Sequence, residues 1–248
     1  MGKIALTIMY DGTFFHGWQV QKNAVTVQET MQDAFSEILG FRPDVSGCSR
    51  TDSGVHANMY VCHVDADGIR IPCDKLPKAL NAHLPPSVAV CSAELKDDSF
   101  HARYSCCGKE YVYKIWNAPY RNPFLDGKCM FVPRTFDIER AAFCEREFVG
   151  KHDFSSFMSQ GAKSTVAENP VRTVKYFKVS REGNLVTVTV AADGFLYNMV
   201  RIMVGTYIDC AEGRLCEGDV ASIIEKKDRS FAGDTAPACG LYLNKVFY

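Results

Sequence analysis

Apolar residues in this chain recur at two different spacings, and that mixture is what limits its folds. Lys109-Glu110-Tyr111-Val112-Tyr113-Lys114-Ile115-Trp116 alternates, so Tyr111, Tyr113 and Ile115 share one face, as in a half-buried strand. Leu196, Met199, Val200, Met203, Val204, Tyr207 and Ile208 recur at helical spacing instead, and Arg201 points well away from the middle of their stripe. Residues 3–10 predict a strand that ends in the turn Asp11-Gly12. Thr26-x-x-Glu29 predicts a capping box, followed by helix-spaced Val27, Met31, Ala34, Phe35, Ile38 and Leu39, with Gly40 as the stop. Further on, a helix is expected from about Asp74 to before Pro85, and another from Asp137 to about Phe148. Residues 171–179 and 185–191 read as a hairpin around Glu182-Gly183-Asn184. A last helix at 219–227 and a final strand at 241–247 follow. Strands mixed with helices, without strict βαβ alternation, predict an α+β fold of hairpin-rich antiparallel sheet with helices on one face.

With 248 residues, one large domain or two smaller ones is expected; element order alone sets a boundary near 105–108, giving halves 1–106 and 107–248. No stretch reaches the roughly 18 uninterrupted apolar residues of a membrane helix, since Asn198 and Arg201 break the most apolar segment. The first residues reach Tyr10-Asp11-Gly12 too soon for a secretory segment, so no export signal or anchor is read there. Eleven cysteines without a Cys-x-x-Cys pair suit neither zinc nor a disulfide framework, and are expected to be reduced, mostly buried thiols of a cytoplasmic protein. Six scattered histidines without a His-Glu-x-x-His motif give no expectation of a metal. A net charge of -1 excludes a globally basic nucleic-acid binder but leaves local basic patches open.

The densest polar cluster is Gly47-Cys48-Ser49-Arg50-Thr51-Asp52-Ser53-Gly54-Val55-His56-Ala57. Such loops concentrate functional groups. The same residues also read as ordinary turn chemistry, with an Asx-turn at Asp52 and Arg50 paired to Asp52 on a surface. Arg201, too, reads either as a solvated helix residue or as a cation with a buried partner.

Arg50-Thr51-Asp52-Ser53-Gly54-Val55-His56-Ala57 resembles the catalytic loop of the tRNA pseudouridine synthase A family, whose pattern is Gly-Arg-Thr-Asp-Ala-Gly-Val-His. The resemblance runs from end to end. It includes Tyr10-Asp11-Gly12-Thr13 with Phe15 and Gly17-Trp18-Gln19, Asn81 with Leu84-Pro85, and Phe100-His101-Ala102-Arg103. It continues through Lys109, Tyr111 and Tyr113, His152-Asp153-Phe154, Phe195 to Arg201, Thr235-Ala236-Pro237 and Gly240-Leu241. Ser49 stands where the family has Gly and Ser53 where it has Ala, both small replacements.

The resemblance implies two related α/β halves sharing a long antiparallel sheet with helices packed on one face, and a homodimer. The implied reaction is isomerisation of uridines 38, 39 and 40 in the tRNA anticodon arm, with no cofactor. Asp52 matches the catalytic carboxylate, acting as nucleophile or base, and Arg201 the arginine that pairs with it and keeps it ionised. Tyr111 matches the tyrosine that stacks on the target base, and Leu241 an apolar pocket residue, with Asn198 a further wall candidate. Arg50, Arg103, Lys109, Lys114, Lys163, Arg172 and Arg229 are candidate phosphate contacts, each also readable as surface charge; Lys226-Lys227 is read as a helix-end pair. Two rivals stand beside this reading. One is a non-catalytic tRNA-binding protein or RNA chaperone on the same fold, the other a metal-dependent phosphoesterase built on Asp52 and His56.

Overall fold

The computed structural model describes residues 2–134, 136–159 and 169–248. Its elements are β1 (Lys3–Tyr10), α1 (Val27–Leu39), β2 (Ser46–Gly47), β3 (His56–Asp65), α2 (Leu76–Asn81), β4 (Val88–Lys96), β5 (Gly108–Asn117), β6 (Met130–Val132), α3 (Cys144–Glu147), β7 (Gly150–Asp153), β8 (Val171–Glu182), β9 (Leu185–Ala192), α4 (Met199–Ala211), α5 (Asp219–Lys226) and β10 (Leu241–Phe247). The predicted α+β class is the one observed: mostly antiparallel strands with few helices.

Local chemistry explains the boundaries. The Thr26 side chain accepts from Glu29 N, and Gly40 takes a left-handed φ of 75°, so α1 starts and stops where its caps lie. The β8–β9 hairpin closes on the Glu182↔Leu185 pair, with Gly183 at φ 57° in the first central position of a two-residue turn.

Two compact units result, Met1–Cys107 with Tyr242–Tyr248, and Gly108–Leu241. In the first, β1 lies between β4 and β3, antiparallel to both, β2 adds to β3, and β10 runs parallel to β3 through Tyr242↔His56 and Leu243↔Ala57. Its core holds Leu6, Ile8, Trp18, Met31, Phe35 and Tyr60. In the second, β9 lies between β5 and β8, β7 continues the antiparallel order beyond β8, and β6 runs parallel to β5. Tyr113, Phe148, Phe154, Phe157, Phe177 and Tyr207 are buried there.

Two expectations need correction. The helix expected from Asp137 to Phe148 shortens to Cys144–Glu147. Asp137 does accept from Glu139 N and Arg140 N, but the chain then winds through i→i+3 bonds, Ala141 N to Ile138 O and Cys144 N to Ala141 O. That tighter winding sets Ala141 and Cys144 one turn apart on the buried side. The cysteines are free thiols, yet only Cys48, Cys62, Cys129, Cys144 and Cys210 are buried, while Cys91, Cys107 and Cys216 are exposed. The Lys226-Lys227 pair does lie at the end of α5 as expected, Lys226 in its last turn 3.9 Å from the Phe231 ring centroid and Lys227, left-handed at φ 52°, at its C-cap, pairing with Asp153 at 3.1 Å. No helix among the described residues is long and apolar enough to cross a membrane.

Candidate active site

Asp52 sits half-buried between β2 and β3, on a loop clamped by the segment after β1. Trp18 N donates to Thr51 O (3.2 Å), and Gly54 N and Ser53 Oγ both donate to Phe15 O (3.2 and 3.3 Å). Tyr10 Oη bonds Thr51 Oγ1 at 2.8 Å. At the loop's start the buried Tyr60 hydroxyl donates to Ser49 O and accepts from Ser49 N, its ring stacked on Trp18 at 4.3 Å. Burial raises the Tyr60 pKa well above the ordinary value, so the donor stays protonated. The clamp depends on close approach: a Cβ on Gly17 would lie 2.4 Å from Thr51 O, and one on Gly12 2.0 Å from Val55 O.

His56 belongs to the base of this loop. It is 1 % exposed, stacks on Tyr242 at 4.5 Å, and its Nδ1 lies 3.0 Å from Gly12 N and 3.1 Å from Asp11 Oδ1. Its Nδ1 is thus engaged at the base of the loop, by Gly12 N and beside the Asp11 carboxylate. Among the described residues no group of three or more His, Cys, Asp or Glu is placed to hold a metal ion. Arg50 is exposed and pairs with no carboxylate among the described residues, so the surface pair with Asp52 is not formed.

In the second unit, Arg201 occupies the first turn of α4, half-buried, with its guanidinium aimed by neutral acceptors. Its Nε donates to Ala236 O (2.7 Å) and Nη1 to Asn198 Oδ1 (2.8 Å), while Asn198 Nδ2 donates to Ser159 Oγ (2.9 Å). Asn198 precedes the helix in a left-handed conformation, φ 62°, and makes no side-chain cap; its amide serves the arginine instead. Ala236 is itself fixed, because α4 and residues 233–236 meet almost backbone to backbone. A Cβ on Gly205 would lie 1.8 Å from Asp234 O, Gly233 N donates to Thr206 Oγ1 (2.9 Å), and Ala236 N donates to Arg201 O (3.1 Å). Tyr113 Oη donates to Pro237 O (2.7 Å), and burial raises its pKa, keeping the hydroxyl protonated. Tyr111, 7 % exposed on β5, meets Phe195 edge-on at 5.1 Å, and Leu241 is 6 % exposed.

The basic candidates differ among themselves. Lys109 and Lys114 are half-buried on β5, and Arg103 lies beside the exposed Tyr104 ring. Arg172 bonds Asn169 O and Val171 O, both through Nη1, and burial lowers its pKa. Arg229 is turned to Ala232 O and Thr235 Oγ1, holding its own segment. Lys163 lies outside the described residues. Sequence reasoning did not single out Tyr60, Ser159 or the Ala236 carbonyl as supports. Glycines were the available signal for two of them: Gly47, whose Cβ would lie 2.0 Å from the Tyr60 hydroxyl, and Gly205, whose close approach to Asp234 fixes the segment that carries Ala236.

A mostly antiparallel α+β scaffold with few helices is consistent with the fold of the pseudouridine synthase class of isomerases. A sequence model of that class, described as tRNA pseudouridine synthase, matches residues 6–105 and 145–248. The chain is 43% identical over 249 residues to tRNA pseudouridine synthase A of Ruminiclostridium cellulolyticum, covering 100% of both proteins. It is 41% identical over 248 residues to that of Thermoanaerobacter sp., again covering 100% of both. With that of Staphylococcus aureus it shares 37% identity, over 99% of this chain and 90% of the other. The chain belongs to the tRNA pseudouridine synthase family.

Proposed function

We propose that this chain converts uridine to pseudouridine at positions 38, 39 and 40 of the tRNA anticodon arm, as a cytoplasmic homodimer. The full-length match to tRNA pseudouridine synthases carries the reading, and it does not favour a non-catalytic binder. The reaction breaks the N1 glycosidic bond, turns the detached uracil, and rejoins it through C5 to the same ribose carbon. Nothing is oxidised or reduced, so residues alone can carry it. One carboxylate must act at or beside C1′, as nucleophile or as base, and Asp52 supplies it.

Arg201 pairs with that carboxylate, and Tyr111 stacks on the base, a flat face that holds a rotating ring without directional bonds. Support for these roles comes from each unit separately: the loop of Asp52 is tied at Thr51, Ser53 and Gly54, and Arg201 is pre-aimed by Ala236 O and Asn198. Leu241 and Asn198 line the pocket. Extruding the uridine costs a few kcal/mol, offset by pocket and phosphate contacts. Arg50, Arg103 and Lys109 supply the latter, with Arg172 adding the N–H groups its own backbone leaves over.

The test maps pseudouridine in tRNA from cells lacking the enzyme, after treatment with the purified protein. Product at 38–40 is expected, and Asp52→Ala should abolish it while tRNA affinity stays within a few-fold, because phosphates dominate binding. Undiminished product from Asp52→Ala would remove the aspartate from the mechanism.

A further inference from the structure

Of Phe100-His101-Ala102-Arg103 only Arg103 entered the reading above, as a phosphate contact, yet the turn the segment opens is built with unusual completeness. His101 N donates to Ser105 Oγ (3.0 Å), Ala102 N to His63 Nδ1 (3.2 Å), and Arg103 N and Tyr104 N to His101 Nδ1 (3.1 and 3.3 Å). Ser105 N donates to His101 O (2.9 Å), and Tyr248 Oη donates to Ala102 O (2.7 Å). Every amide N–H from His101 to Ser105 is therefore bonded, two of them to one imidazole nitrogen. A turn so saturated holds its side chains in fixed places.

What it holds is an aromatic ring in water. Tyr104 is 77 % exposed, and the His101 ring backs it at 4.3 Å between centroids. The Arg103 guanidinium lies 5.8 Å from the ring centroid. Among the described residues no carboxylate pairs with Arg103, and the Tyr104 hydroxyl has no hydrogen-bond partner. A backed π-face beside an uncompensated cation matches the two halves of a nucleotide, a base that stacks and a phosphate that pairs. The uncompensated charge favours a polyanion over an apolar protein surface.

We propose that Tyr104 and Arg103 form a platform for a tRNA nucleotide other than the target uridine, with His63 and His101 as positioning residues. This rests on the reading that tRNA is the substrate. His63 stands near the far end of the strand that His56 begins, seven residues along β3 or about 23 Å at 3.3 Å per residue, too far to serve the reacting base.

The test compares steady-state kinetics on full-length tRNA for the wild type, Tyr104→Ala, Tyr104→Trp, Tyr104→Leu and Arg103→Gln. Tyr104→Ala and Tyr104→Leu should raise KM about 5- to 100-fold with kcat changed less than twofold, the size of one lost base stack. Tyr104→Trp should keep the wild-type KM, and Arg103→Gln should raise KM and flatten its salt dependence. An unchanged KM in Tyr104→Ala overturns the platform. So does a wild-type KM in Tyr104→Leu, or a change of oligomeric mass in Tyr104→Ala without a change in KM, which would mark a protein contact. If the wild type forms no pseudouridine, the functional reading fails on its own. The platform is then judged by filter binding of unmodified tRNA, where equal affinity of wild type and Tyr104→Ala overturns it.

Discussion

His63 accepts the Ala102 N–H through Nδ1, so the fold uses the ring in a form that carries no proton on that nitrogen. Burial chiefly, then the neighbouring His101 ring and Lys3, hold its pKa below the ordinary histidine value, against the opposing pull of Asp65 and Asp44. A folded-state pKa lower than the unfolded one means that the unfolded chain binds more protons between the two values. Stability therefore rises with pH through that window, is complete above about 6.5, and is lost as pH falls through the folded pKa. The urea midpoint is expected to drop between pH 7.5 and pH 5. His63→Gln, which keeps an acceptor but cannot titrate there, should flatten the drop. An identical pH slope in His63→Gln would show that other groups carry it. Asn198 makes the same point for the proposed catalytic cation: a residue strained at φ 62° gives up capping α4 and bonds Arg201 instead.

That arginine is only as well placed as the helix beneath it. Gly205 lets α4 approach residues 233–236 so closely that a Cβ would meet Asp234 O at 1.8 Å, and the approach delivers Ala236 O to Arg201. Gly205→Ala must push the two segments apart, at about 1–3 kcal/mol for overpacking. Moving a catalytic group by about 1 Å costs on the order of 100-fold in rate, so kcat on tRNA should fall by 10- to 100-fold. Urea unfolding and single-turnover assays check the two effects, and wild-type values in both would show that this contact fixes nothing. The contact also shows what sequence can reveal. α1, β5 and the β8–β9 hairpin announce themselves through Thr26 and Gly40, through alternation, and through Gly183-Asn184, because their determinants lie within a few residues. β4 escaped notice, since Cys91, Ser92, Glu94 and Leu95 are exposed and blur its alternation; it forms because β1 pairs with it. Asp52, Arg201 and Tyr111 were singled out as candidates through family resemblance, whereas the carbonyl that aims Arg201 comes 35 residues later in the chain and carries no side-chain signature.

The first unit is not a continuous stretch of chain, because Tyr242–Tyr248 completes it. Leu243 is fully buried and Val246 is 6 % exposed. Tyr242 covers His56, Phe247 O accepts from Cys107 N (2.8 Å), and Tyr248 Oη holds the turn at Ala102 (2.7 Å). Burying Leu243 and Val246 is worth about 1.5–3 kcal/mol each. With the parallel ladder to β3 and the Tyr248 bond, their loss reaches a large share of the roughly 5–15 kcal/mol that keeps a domain folded. A chain ending at Leu241 keeps Tyr111, Arg201 and Leu241 itself, so local reasoning about the proposed site residues would leave it active. The packing argues otherwise: without β10, the strand that follows the Asp52 loop loses its parallel neighbour, and His56 loses the ring stacked on it. Hydrogen exchange of the truncated protein should show β1, β3 and β4 unprotected while β5, β8 and β9 stay protected, with no pseudouridine formed. Protection of β3 equal to the intact protein would mean that the first unit folds without its last strand, and that the return of the chain serves something other than stability.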